Sequence, residues 1–101
     1  MWKIHEHRSL DRKIKKVPTE ILKRYEKWKD IVRLTGPQGL REIKGFHDES
    51  LRGDWKGNRS SRLGLQYRVI YRVRKQEILV EVVELTAYDY RKNERLQTSK
   101  I

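Results

Sequence analysis

The residues best suited to chemistry lie in one stretch, 49–71, which begins with a carboxylate and ends in an arginine-bearing strand pattern. Arg68 carries a rigid fork of N–H donors that matches phosphate oxygens. Glu49 is an acidic group at the start of the glycine-punctuated segment that precedes this pattern. A metal-free ribonuclease needs a base for the 2′-hydroxyl proton, cations for the phosphorane charge and an acid for the leaving 5′-oxygen. The stretch therefore predicts a site that binds an RNA phosphate and helps to break the bond beside it.

Further cationic and phenolic side chains extend this candidate site. Arg62 is expected on the strand that precedes the strand of Arg68, where both arginines can contact the same phosphate. The two tyrosines of the AYDY sequence follow the last predicted strand, and a phenol there can stack on a base or donate a proton. The predicted catalytic residues are Arg68, Glu49, Arg62, Tyr90 and Tyr88, and the predicted RNA-binding residues are Lys56, Arg59, Arg72 and Arg52.

Each of these residues also has a structural interpretation, and the sequence leaves both open. Arg68 and Arg72 fit an ordinary solvated strand face, because runs of charge usually form one. Glu49 can pair with Arg52 through sequence proximity alone. The tyrosines of AYDY share a parity, so packing is an equally good role for at least one of them.

No metal or cofactor site is predicted. His5 and His7 flank Glu6 at strand spacing, but two histidines without a carboxylate set or cysteines are a weak metal signal. The sequence contains no G-x-G-x-x-G, P-loop or H-E-x-x-H motif.

The charge balance predicts polyanionic partners. Lysine and arginine number 25 against 14 aspartates and glutamates, which gives a formal net charge of +11. Such a chain attracts nucleic acid, an acidic protein partner, or both. No apolar run approaches the roughly 20 residues needed to cross a bilayer, and no signal peptide is evident, so no membrane partner is predicted. Cysteine is absent, which excludes thiol catalysis and fits a reducing cytoplasm, the predicted location.

The elements that must position these residues form a simple order. A short strand around Trp2 is followed by a helix from Leu10, and Pro18 opens a second helix that ends at Gly36. An antiparallel meander then covers about 59–65, 66–74 and 77–85. We therefore predict an α+β fold in which an N-terminal strand and a two-helix hairpin pack on one face of an antiparallel sheet. Length predicts one domain, 1–101, with 91–101 as a flexible tail.

The central strand pattern predicts two different sheet faces. Tyr67, Val69, Tyr71 and Val73 share one parity and are expected in the core. Arg68, Arg72 and Arg74 share the other parity and are expected on an uncovered basic face.

At these residues the chain resembles a known family. The run LRGDWKGNRSSRLGLQYRVIYRV, followed by EILVEVVEL, resembles the RelE/ParE superfamily of bacterial type II toxins. It is most similar to the RelE and YoeB-like ribonucleases, whose LKG…R…(Y/H)R(L/V)(V/I)Y pattern is matched by residues 51–71. The two-helix layout extends the resemblance over nearly all of 1–90.

The resemblance implies a role for particular residues. It matches Arg68 to the arginine that contacts the scissile phosphate, and Glu49 to the acidic residue proposed as a base. Arg59 and Arg62 correspond to basic residues of the preceding strand. Tyr88 and Tyr90 are an approximate match to the family's C-terminal aromatic pair.

The resemblance also implies a function. Members usually cleave messenger RNA, often in the ribosomal decoding site, and a cognate antitoxin silences them by covering the basic face. We therefore predict a metal-independent endoribonuclease toxin, with messenger RNA on the ribosome and an antitoxin as partners. The alternative is a ParE-like DNA gyrase inhibitor without nuclease activity, and a weaker one is nucleic-acid binding without catalysis. On the first hypothesis, Arg68→Ala is expected to abolish cleavage with little loss of stability.

Overall fold

The computed structural model describes residues 1–87 and 97–98, which form six strands and three α-helices. The strands make one sheet in the order β1–β5–β4–β3–β2–β6. β1 runs parallel to β5, and the other neighbouring pairs are antiparallel. The predicted α+β class is therefore confirmed. The strands are β1 (Lys3–Glu6), β2 (Glu49–Arg52), β3 (Arg59–Arg62), β4 (Tyr67–Arg74), β5 (Leu79–Ala87) and β6 (Gln97–Thr98), and the helices are α1 (Leu10–Ile14), α2 (Thr19–Thr35) and α3 (Pro37–Arg41).

Helix α2 provides most of the apolar surface that covers the sheet. Tyr25, Trp28 and Val32 recur at helical spacing and are buried, so they form one stripe. The Trp28 ring stacks on Tyr25 at 5.9 Å between centroids and meets Tyr71 of β4 edge-on at 5.3 Å. Each such aromatic contact contributes about 0.5–1.5 kcal/mol beyond the burial of area. These contacts fix α2 over the middle of the sheet.

Gly36 ends α2 and packs against Trp2, the residue that precedes β1. Its φ is +77°, a conformation that side-chain-bearing residues rarely adopt. A Cβ atom there would lie 2.6 Å from the indole Nε1 of Trp2, at the start of the chain. Pro37 then occupies the first turn of α3. The predicted helix stop at Gly36 is confirmed, and the close approach to Trp2 explains why glycine is required.

The structure contains two strands that the sequence did not predict. Residues 49–52 were expected in the glycine-punctuated segment before the meander, but Glu49–Arg52 form β2 beside β3. Gln97–Thr98 pair with Leu51 and Arg52 as β6, inside a segment that was predicted to be a flexible tail. Both strands are short, and a single apolar residue in β2 gives no alternation to detect. The other residues of 91–101 lie outside the described part of the chain.

Among the described residues, no helix has both the length and the apolar character that a bilayer-spanning segment requires.

Candidate active site

Strand register places three of the candidate side chains, together with Ser60, on one sheet face. Directly opposed residues of an antiparallel pair project on the same side. Arg68 of β4 is opposite Arg62 of β3, and Ser60 of β3 is opposite Glu49 of β2. Tyr71 of β4 has the opposite parity to Arg68 and contacts α2. These four residues therefore project away from the helices. We call this side the site face; it carries Glu49, Ser60, Arg62 and Arg68.

The site face brings the predicted base and the predicted phosphate ligand into contact. Nη1 of Arg68 donates a hydrogen bond of 2.6 Å to Oγ of Ser60. The same nitrogen lies 3.4 Å from Oε2 of Glu49. The structure therefore pairs Glu49 with Arg68, and not with Arg52 as sequence proximity suggested. At 3.4 Å the ion pair is longer than a normal charge-assisted hydrogen bond.

The expectation that Arg68 is exposed beside Arg72 and Arg74 is wrong. Arg72 and Arg74 are exposed, but the side chain of Arg68 retains only 5% of its accessible surface. The reason is its position in the sheet, because Ile70 of the same parity and Ser60 of the neighbouring strand are also fully buried. This part of the site face is therefore covered, and the more accessible member of the ion pair is Glu49, at 21%.

The burial of Arg68 also corrects the expected effect of its removal. Arg68→Ala would leave the hydroxyl of Ser60 and the carboxylate of Glu49 without this donor. Breaking a buried ion pair by removing one partner is strongly destabilising. We therefore expect Arg68→Ala to cost more stability than the exposed position predicted from the sequence implied, and milder substitutions are needed to test chemistry at this position.

Arg62 offers a donor that a bound anion can use. Its side chain is half-buried, and within the described residues its buried Nε has no hydrogen-bond acceptor. A buried donor without an acceptor costs about 1–3 kcal/mol. An acceptor at this nitrogen, opposite Arg68 in the strand register, would remove that cost.

Arg59 lies on the other face of the sheet, contrary to the expectation that it accompanies Arg68. Oδ1 of Asp48 accepts a hydrogen bond from its Nε at 2.8 Å and lies 2.7 Å from its Nη2 in an ion pair. Oδ2 of Asp48 accepts one from Oγ of Ser61 at 2.7 Å and another from the hydroxyl of Tyr71. The carboxylate of Asp48 is fully buried. This network joins β3 and β4 to the residue that precedes β2.

The network changes the acidity of two of its members. Burial alone would lower the pKa of Arg59, but the hydrogen bonds and the charge of Asp48 outweigh it and raise that pKa. Burial, followed by the charge and hydrogen bond of Asp48, raises the pKa of Tyr71 well above its ordinary value. Both groups therefore stay protonated at neutral pH. Asp48 was not predicted from the sequence. Its place next to Glu49 was visible, and so was the alternation in Arg-Ser-Ser-Arg, which separates its partner Arg59 from Arg62.

The remaining candidates are spread more widely. Arg72 is exposed and has the parity of Arg68, and Lys56 is exposed in the turn before β3. Arg52 ends β2, where alternation places it with Arg59 on the helix side. Tyr88 and Tyr90 lie outside the described residues. In the described part of the chain, no three histidine, cysteine, aspartate or glutamate side chains are grouped so that they could hold a metal ion.

Comparison with known proteins gives structural matches only. No protein-family model and no curated protein sequence matches the chain. The chain is similar to a chain of the archaeal RelE–RelB complex from Pyrococcus horikoshii OT3, with a TM-score of 0.70, 22% identity and coverage of 88% of this chain and 97% of that one. It is also similar to YafQ from Escherichia coli strain BL21(DE3), with a TM-score of 0.66, 17% identity and coverage of 86% and 93%. A chain of the YoeB–YefM complex from Staphylococcus aureus matches with a TM-score of 0.64, 14% identity and coverage of 89% and 99%. The chain thus has the fold of the RelE/ParE-superfamily toxins.

Proposed function

We propose that the protein is the toxin of a type II toxin–antitoxin system and acts as a metal-independent endoribonuclease on messenger RNA at the ribosome. The observation that carries the proposal is the contact between Arg68 and Glu49 on the site face, with Arg62 opposite Arg68. On a fold shared with RelE, YafQ and YoeB structures, this cluster supplies both a carboxylate base and guanidinium groups for a phosphate.

The proposed reaction is an attack by the ribose 2′-oxygen on the adjacent phosphorus. Glu49 takes the 2′-hydroxyl proton as the O–P bond forms, and the P–O5′ bond breaks. Arg62 and Arg68 neutralise the charge that develops on the phosphorane oxygens. A proton donor, for which Tyr88 and Tyr90 are the candidates, completes the 5′-hydroxyl. The products are a 2′,3′-cyclic phosphate and a 5′-hydroxyl end, so neither an oxidant nor a second substrate is required.

An antitoxin is the proposed protein partner. Two of the similar structures are complexes, RelE with RelB and YoeB with YefM. The net charge of +11 favours a partner with acidic segments, because complementary charge speeds association and excludes like-charged competitors. We place the protein in the cytoplasm, where messenger RNA, ribosomes and such a partner occur together.

Two isosteric or charge-conserving substitutions test the proposed roles. Glu49→Gln removes the base, and we expect cleavage of a reporter RNA to slow by roughly 10²–10⁴-fold. Arg68→Lys keeps the charge but loses the fork of donors, and a loss of about 10²-fold or more is expected. Cleavage rates in vitro and growth after induction are the measurements. Glu42→Gln and Arg12→Lys are the matched controls, because both residues are exposed and lie outside the site face.

Several results would contradict this proposal. Full activity in Glu49→Gln, with its thermal unfolding unchanged, would remove the base from the mechanism. A reporter with a single 2′-deoxy residue at the scissile position should resist cleavage, and activity should persist in EDTA. Mapping of transcript ends distinguishes the proposed endoribonuclease from the ParE-like alternative, since a gyrase inhibitor would damage DNA and leave transcripts intact.

A further inference from the structure

A basic cavity lies on the opposite side of the sheet from Arg68. It has a volume of about 490 Å³ and opens between the start of the chain, the end of α2, α3 and strands β3 and β4. Its cationic lining residues are Arg41 of α3, Arg59 of β3 and Lys75 after β4. Arg59 belongs to the helix-side network of Asp48, so this cavity is separate from the site face.

The charge of the cavity favours an anion. None of the nine described lining residues is acidic, and three are cationic. Asp48 balances the charge of Arg59 in an ion pair. Its carboxylate is fully buried and contacts one edge of that guanidinium. Arg41 and Lys75 are exposed, and neither takes part in an ion pair among the described residues. They can therefore contact a bound ligand without breaking an existing pair.

The remaining walls suit a flat, apolar ring. Trp2, Pro37 and Val73 line the cavity beside the cations. An aromatic wall can stack on any nucleobase, which contributes about 1–3 kcal/mol per base. Cavities of about 300–1,000 Å³ accommodate small-molecule ligands, and one nucleotide is well within that range. The cavity therefore offers both cationic side chains for a phosphate and an apolar wall for a base.

We propose that this cavity binds one nucleotide unit, with its phosphate on Arg41, Arg59 and Lys75 and its base against Trp2. The source of the nucleotide is either an RNA segment remote from the cleaved bond or a free mononucleotide, and both present the same chemistry. The inference does not depend on the proposed nuclease activity, because the cavity and the site face share no side chain.

The test uses the full-length protein and ligands that cannot be cleaved. The probes are adenosine 5′-monophosphate, adenosine and a short 2′-O-methyl oligoribonucleotide. Binding is followed by calorimetry and by the amide resonances of Gly57 and Thr35, which line the cavity. The test variant is R41Q/K75Q. The matched control is K23Q/K27Q, which removes the same charge from exposed positions of α2 outside the cavity.

We expect R41Q/K75Q to weaken binding of a phosphate-bearing probe by about tenfold at low salt, because two phosphate contacts are lost. K23Q/K27Q should change it by less than about twofold. Binding of the mononucleotide would identify a free nucleotide as sufficient, and binding of the oligonucleotide alone would identify an RNA segment.

Three results would overturn the inference. They are no shift of Gly57 or Thr35 with either phosphate-bearing probe, equal binding of adenosine, and equal weakening by both double variants. Glu49→Gln distinguishes the two proposals, because it should stop cleavage and leave this binding unchanged.

Discussion

Two adjacent carboxylates have different environments because the chain alternates between sheet faces. Asp48 is fully buried on the helix side, where it accepts hydrogen bonds from Arg59, Ser61 and Tyr71. Glu49 lies on the site face and retains 21% of its side-chain surface. One therefore holds strands together, and the other is accessible for chemistry. A left-handed conformation at His47, with φ of +43°, turns the chain into this arrangement.

Asp48→Asn should strongly destabilise the fold. An amide cannot accept from every donor that now meets Asp48, and it leaves the guanidinium of Arg59 without its charged partner. Loss of one member of a buried ion pair costs about 3–5 kcal/mol. Urea unfolding measures the change, and Asp54→Asn, at an exposed turn residue, should alter stability by less than about 0.5 kcal/mol. A loss below about 1 kcal/mol for Asp48→Asn would show that the network contributes little.

At the scale of elements, the connection between β4 and β5 is strained. Lys75–Glu77 form a 3-10 turn, and Ile78 then adopts φ of +50° and ψ of +53°. The left-handed conformation costs an L-residue about 1–2 kcal/mol, and asparagine tolerates it better than a β-branched residue does. Because Ile78 is 47% exposed, little burial opposes its replacement.

Ile78→Asn should therefore stabilise the protein. A gain of about 1 kcal/mol would raise the melting temperature by roughly 4–8 °C in a domain of this size. Differential scanning calorimetry measures the shift. Ile43→Asn is the control, because Ile43 is similarly exposed at 39% but has an ordinary φ of −103°. If both variants lower the melting temperature alike, relief of backbone strain is not the operative effect.

The sequence predicted the long elements because their patterns are locally complete. The stripe of Tyr25, Trp28 and Val32 and the alternation of β4 each contain enough residues to define a period. β2 was missed because its stability comes from pairing with β3, which its own four residues do not encode. Arg59 could have been placed from the sequence, because it lies three residues before Arg62 and alternation puts the two on opposite faces. Its register opposite Tyr71 shows that its face is the helix side.

Burial at the site was also beyond the sequence pattern. Parity correctly separated Arg68 from Val69, but parity gives the face and not its accessibility. The one local signal was Ile70, an apolar residue among arginines, which is fully buried. It marks the covered part of the site face, whereas Arg72 lies beyond it.

At the scale of the whole molecule, the dominant property is unbalanced charge. The net charge is +11, and the principal extents are 38 × 30 × 27 Å. The screening length is about 30 Å at 0.01 M salt and about 10 Å at 0.1 M. At the lower salt, cations repel one another across the entire molecule, whereas at the higher salt only neighbours interact. Exposed ion pairs such as Arg33–Asp30 contribute too little to reverse this balance.

Stability should therefore increase with salt over this range, opposite to the trend for a protein held by surface ion pairs. The midpoint of urea unfolding at about 0.01 M and about 0.1 M sodium chloride measures it. A variant in which four exposed lysines are changed to glutamine should show a smaller increase. A midpoint that falls with salt would mean that attractive pairs outweigh the net repulsion. The four positions are Lys15, Lys16, Lys23 and Lys27.

The parallel pairing of β1 with β5 has a consequence for synthesis of the chain. Ile4 of β1 is translated well before its register partner, Val80 of β5. Contacts between such distant positions form slowly, since a long loop must close first. The sheet edge at β1 therefore stays incomplete until β5 has been made. We expect the nascent chain to acquire its native shape only after β5 has been synthesised, which delays any activity until that point.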